Sequence, residues 1–147
     1  MTVTNMTLNI LAAGLITVVL MTVIFLTSRN KKLDSSYFSK RWSILQKQCS
    51  NKKLWHLAII DADKLLDEAL KQRHFKGKTT GERLVSAQRD LSSNDSVWFG
   101  HKLKNKLTDN SKQPLTKRDT LAALAGFRQA LKDLGAFLSD ANKGFKE

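Results

Sequence analysis

LWHLAIIDADKLLDEALKQR, residues 54–73, decides what kind of fold this chain has. At about 100° per residue, Leu54, Trp55, Ala58, Ile59, Ala62, Leu65, Leu66, Ala69 and Leu70 fall in one arc of somewhat under half the circumference. A strand would need alternation, and none is sustained here or elsewhere in the chain. A helix over about 52–73 with one core-facing side follows, and the rest of the chain is read outward from it.

Upstream, Phe38, Trp42, Leu45 and Cys49 repeat at helical spacing and predict a helix over about 36–49. Downstream, the loop HFKGKTTG leads into a short helix over about 80–91. Ser93, Asn94 and Asp95 offer caps for a helix running to about Thr108. Residues 110–115, with the single proline Pro114, form the next turn. Thr116 with Asp119 three residues on resembles a capping box and opens a last helix over about 116–137. Five helices joined by short loops imply a compact bundle.

Charge divides the chain. All 25 basic and 13 acidic residues, a surplus of twelve positive charges, lie from Arg29 onward. The uncharged part contains LNILAAGLITVVLMTVIFL, residues 8–26, whose helical length of roughly 28 Å matches the hydrocarbon thickness of a bilayer. A cleaved signal peptide would carry a basic n-region, a shorter apolar core and a small-x-small cleavage site, none of which is well met. The sequence therefore predicts a transmembrane anchor over 1–28, a basic juxtamembrane linker over 29–35, a helical domain over 36–140 and a C-terminal tail over 141–147. Arg29, Lys31 and Lys32 follow the span and nothing basic precedes it, which puts the N-terminus outside and the helical domain in the cytoplasm. The lone Cys49 suits a reducing compartment.

Three stretches carry candidate chemistry. GKTT at residues 77–80 resembles the end of a phosphate-binding loop, but Gln72 stands where that motif needs its first glycine and a helix precedes it, so it reads as a glycine turn. His56, Asp63 and Asp67 lie together at the edge of the apolar arc. They have the spacing to hold a divalent ion; the competing reading is an acidic edge that pairs with a neighbouring helix or with Lys71. In WFGHKLKNKLTDN, residues 98–110, Phe99, Leu103 and Leu107 repeat at i+4 as the expected core contact. Trp98, His101, Lys102, Asn105 and Asp109 face the other way, with Trp98 a candidate interface residue.

The order AIIDADKLLDEAL, GERL, VWFGHKLKNKLTDN, ALKDLGAF resembles a group of small bacterial proteins that join an N-terminal membrane anchor to a helical domain of the HEPN superfamily. The resemblance implies an all-α fold, a single transmembrane helix followed by a five-helix HEPN-like bundle, in the bacterial inner membrane, and a likeness to domains that are often homodimeric. Many HEPN domains are metal-independent RNases whose signature is an arginine, a polar residue and, after a short gap, a histidine. On this chain those positions carry Lys104, Asn105 and Asp109. Lysine lacks the bidentate fork, and an aspartate is a poor proton carrier at neutral pH. The resemblance thus implies a degenerate motif and no catalytic residue. His101 shares a face with Asn105 and Asp109 and is a candidate replacement for the missing histidine; the competing reading gives it a packing role.

No metal or cofactor is expected. A membrane-tethered domain that holds RNA, a nucleotide or a protein partner without cutting is the leading expectation, with Lys102, Lys104, Lys106, Lys112, Lys117 and Arg118 as the phosphate-attracting set. Anionic lipid headgroups attract the same charges. A dimeric scaffold without nucleic-acid binding and a residual RNase are the alternatives.

Overall fold

The computed structural model describes residues 2–29, 32–110 and 112–137. The chain divides into two compact units, Met1–Lys31 and Lys32–Glu147.

The first unit is one helix, α1 (Thr2–Arg29). Its stretch Thr7–Ile24 is long and apolar enough to cross a membrane, and none of it is buried against protein. Two hydroxyls in this stretch are satisfied within the helix: Thr17 donates to the Gly14 carbonyl at 2.7 Å and Thr22 to that of Val19 at 2.7 Å. Such bonds remove the need for a partner in an apolar solvent.

Every regular element among the described residues of the second unit is helical. The unit contains α2 (Ser35–Gln48), a 3-10 turn at Lys52–Leu54, α3 (Trp55–Gln72), α4 (Thr80–Ala87), α5 (Asn94–Asp109) and α6 (Lys117–Asp133). The five predicted helices are all present. Helix α3 is the axis of the bundle and packs on each of the other four. Ala58, Ile59, Ala62, Leu65, Leu66, Ala69 and Leu70 of the predicted arc are buried, whereas Leu54 and Trp55, at its start, are only half-buried.

Capping explains most boundaries. Asp34 accepts from the Ser36 and Tyr37 amides and starts α2, while Leu33 is buried in the core, so the end of the expected linker is folded. Asn51 caps the 3-10 turn, which shifts the start of α3 to Trp55. Thr79 caps α4 through the Glu82 amide. Thr116 opens α6, accepting from the Asp119 amide at 3.0 Å and donating to its carboxylate at 2.7 Å. Two helices end earlier than the sequence suggests. Helix α4 stops at Ala87, where the Asn94 side-chain amide takes the Gln88 carbonyl. Helix α6 stops at Asp133, where Gly135 adopts a left-handed φ of 80° and its amide and that of Ala136 bond back to Lys132 and Leu131. Residues 138–140 of the expected domain and the tail 141–147 lie outside the described residues.

The largest correction concerns α5. Its buried residues are Val97, Gly100, His101 and Leu107, while Phe99 is 42% exposed and Leu103 half-buried. The core face is therefore turned roughly 100° from the one that Phe99, Leu103 and Leu107 define. Close approach of α6 fixes the rotation. A Cβ on Gly100 would sit 2.8 Å from the Phe127 ring, and one on Gly126 would collide with the Ser96 carbonyl. Two glycines thus let α5 and α6 pack nearly backbone to backbone, and Phe127 fills the space beside Gly100. The same rotation carries His101 inward.

Candidate functional site

The inward turn of α5 places His101 against Asp63, which projects from the middle of α3. The His101 Nδ1 to Asp63 Oδ1 distance is 2.7 Å, and both side chains are almost fully buried. Asp63 Oδ2 also lies 3.4 Å from Lys104 Nζ, one turn or so further along α5. A carboxylate with no other compensation would be very costly at this depth, so the imidazole and the ammonium are what allow it there. Asn105 completes the group: its side-chain amide nitrogen lies 3.4 Å from His101 Nε2, and its oxygen accepts from Lys104 Nζ at 3.3 Å. An aspartate on Nδ1 favours the tautomer protonated there, leaving the Nε2 lone pair toward the Asn105 amide.

Trp98 is the lid on this arrangement. Its ring stands edge-on to the imidazole, centroids 5.7 Å apart, and packs against the core while half-buried. The expected interface residue is thus largely occupied within its own bundle. Phe99 is the more exposed aromatic of α5, on the same outer face as Lys102 and Lys106.

Beyond His101 Nε2 lies a pocket of about 530 Å³, lined by Lys78, Thr79, Thr80, Gly81, Arg83, His101, Lys104 and Asn105. The start of α4 lies directly against the imidazole beside this pocket: a Cβ on Gly81 would meet His101 Nε2 at 3.5 Å and the Trp98 ring at 3.8 Å, both ordinary contact distances. Arg83 braces that segment. Its Nε and Nη2 both reach Asp67 Oδ1 at 2.7 Å, and its Nη1 donates to the Gly77 carbonyl at 2.6 Å. Asp67 also pairs with Lys71 at 2.7 Å. Burial pushes the Asp67 pKa up, but hydrogen bonds from Lys71, Arg83 and Thr80 and the Arg83 charge outweigh it, holding the carboxyl below the usual carboxylate value.

The acidic edge read from the sequence is thus divided among partners. Asp63 goes to α5, Asp67 to α4 and Lys71, and His56 lies 3.3 Å from the Gln113 carbonyl. No group of three or more potential metal-ligating side chains occurs among the described residues. The expected basic set is likewise split. Lys104 turns inward to the pocket, whereas Lys102, Lys106, Lys112, Lys117 and Arg118 are exposed and do not line it. Of the positions that the resemblance singled out, Lys104 and Asn105 line the pocket with His101; Asp109, the exposed last residue of α5, does not.

Sequence reasoning missed Lys78, Thr79, Gly81 and Arg83 as neighbours of His101. The only trace in the sequence was GKTT, residues 77–80, read there as a glycine turn; it contains Lys78, Thr79 and Thr80 of the pocket lining but not Gly81 or Arg83. Comparison of the chain with family models, with curated proteins and with solved structures finds no match in any of the three.

Proposed function

We propose that this chain is a membrane-anchored, HEPN-like helical domain that binds RNA or a nucleotide through its phosphates, without cutting it, on the cytoplasmic face of a bacterial inner membrane. The observation that carries the reading is the pocket in which Lys78, Arg83 and Lys104 surround a buried, Asp63-bound His101. A site of about 530 Å³ is of ligand size, and its lining offers donors: lysine ammonium groups, threonine hydroxyls, the Asn105 amide and the remaining Arg83 N–H groups. Anchoring is supported by the apolar Thr7–Ile24 stretch. The basic residues that follow it in sequence support the orientation.

Two features support binding without cleavage. Asp109 stands where the related signature carries a histidine, and it lies outside the pocket. Lys104 stands at the arginine position and pairs with Asp63, so it offers a point charge rather than a fork.

The test uses the full chain in detergent and a fluorescently end-labelled, mixed-sequence RNA at about 150 mM salt. Anisotropy should report binding that weakens by about tenfold in Lys104→Met and much less in a Lys102→Ser, Lys106→Ser double variant, with the RNA intact on a gel. Equal losses from the inward and the outward lysines would refute the pocket. Absence of binding together with a stable dimer would favour the scaffold reading. Cleavage products that vanish in His101→Ala would overturn the non-cutting assignment.

A further inference from the structure

Beside the His101 pocket, and sharing Lys78 and Arg83 with it, lies a shallow groove of about 520 Å³ lined by Lys71, His74, Phe75, Lys76, Gly77, Lys78, Glu82 and Arg83. We infer that this groove and the His101 pocket form one track for consecutive phosphates of a single-stranded polynucleotide, with His74 a base- or phosphate-contacting residue of the outer half. The inference rests on the phosphate-binding reading above and extends it from one phosphate to a chain.

The turn after α3 is the independent observation. It closes as α6 does: the His74 amide bonds to the Lys71 carbonyl at 2.9 Å and the Phe75 amide to that of Leu70 at 3.0 Å. In α6 the left-handed residue of this turn is Gly135, φ 80°; in α3 it is His74, φ 58°. Glycine adopts this conformation without strain, whereas a side chain there costs stability. Phe75, next along, is buried and anchors the turn, leaving the exposed His74 imidazole on the groove. The bundle thus places a costly, exposed imidazole among lysines at the mouth of a cationic pocket, where a planar ring can stack a base.

Arg83 makes the two halves one surface. Buried between them, it spends three N–H groups on Asp67 and Gly77 and so holds the loop that carries Lys76 and Lys78 against the start of α4. Glu82 accepts from the Lys78 amide at 2.8 Å, so its carboxylate is tied to the backbone of the same loop. A membrane surface is a poorer fit, because the inner end of the track is a pocket that a flat array of headgroups does not enter.

The experiment compares a nucleoside monophosphate with homopolymeric single strands of increasing length, on the full chain in detergent, by competition against a labelled strand. Affinity should rise by about tenfold or more over the first few nucleotides, and the salt dependence should steepen by about 0.7 in log–log slope for each phosphate engaged. In His74→Gly, and separately in Lys76→Ser, the gain with length should fall while Tm is unchanged or, for glycine, higher. Equal affinity for the monophosphate and the longer strands would overturn the track and leave the single-phosphate pocket standing. No binding of either, with Lys104→Met indistinguishable from the parent, would instead remove the reading beneath it. The track would also be overturned if these variants lowered binding to phosphatidylglycerol vesicles and left strand binding untouched.

Discussion

Removing the Asp63 carboxylate tests the centre of the site. In Asp63→Ala, His101 would keep a ring N–H inside the bundle with no acceptor, and Lys104 would lose its anion. An unsatisfied buried donor costs about 1–3 kcal/mol, and a hydrogen bond to a charged group is itself worth about 1.5–3 kcal/mol. The Lys104 contact, at 3.4 Å and partly exposed, adds little to this. A loss of about 3 kcal/mol is therefore expected, a large share of the roughly 5–15 kcal/mol that holds a domain of this size. At about 4–8 °C per kcal/mol, Tm should fall by roughly 12–24 °C.

A cycle separates the pair from its surroundings. His101→Ala and the double variant complete a square whose coupling should exceed about 1.5 kcal/mol if the two side chains satisfy each other, because neighbours in one network are non-additive. Asp63→Leu with His101→Phe goes further: filling the same space with apolar groups should recover most of the stability while abolishing RNA binding. The three tryptophans all belong to the helical unit, and Trp98 touches His101, so urea unfolding followed by tryptophan fluorescence reads the right part of the chain. Asp63→Ala within about 1 kcal/mol of the parent, with coupling below about 0.5 kcal/mol, would refute the idea that this pair is a satisfied buried network.

Two further outcomes follow from the packing and the charges. Gly126→Ala should destabilise by about 2–3 kcal/mol, because the new methyl meets the Ser96 backbone, which cannot rotate away as a side chain can; a Tm within about one degree of the parent would show that α5 and α6 separate freely. Asp67 has a lowered folded pKa, so its contribution is present above the unfolded value of about 3.9 and is lost as pH falls through the lower folded one. Urea midpoints should drop below about pH 4 in the parent, and Asp67→Asn should be less stable at neutral pH with a shallower acid limb; parallel pH profiles would contradict the assignment.

How much of this was legible in the sequence depended on whether neighbours in space were neighbours in pattern. The axis helix was readable because its seven innermost apolar residues repeat at helical spacing, and Thr116 was readable as a cap because its partner lies three residues away. Helix α5 was misread for the complementary reason. Between Val97 and Leu107 its core face holds Gly100 and His101, neither of which scores as apolar, while the residue that fills the space beside Gly100 is Phe127 on another helix. Periodicity sees only one strip of sequence at a time, so Phe99, a large apolar side chain left in solvent, drew the predicted face toward itself. His101 was marked as chemically interesting, but its partner Asp63 was assigned to a different cluster, since a contact spanning 38 positions leaves no local trace.

The buried polar group also decides where the site should be sought. Apolar residues of equal volume would hold α3 and α5 together as well or better, since desolvating a carboxylate is only partly repaid by its partners. A small bundle that nevertheless keeps Asp63, His101 and Lys104 at its central crossing therefore gives up stability at that position. It does so where Nε2, Asn105 and Lys104 line a pocket, rather than at a sealed part of the core such as Phe127 against Gly100. The exposed lysines carry no such signature, because a solvated cation on a helix costs almost nothing to maintain. Substitutions at the inward residues should therefore separate the proposed function from folding most sharply: on that proposal, their loss weakens RNA binding even where an apolar replacement leaves the bundle intact.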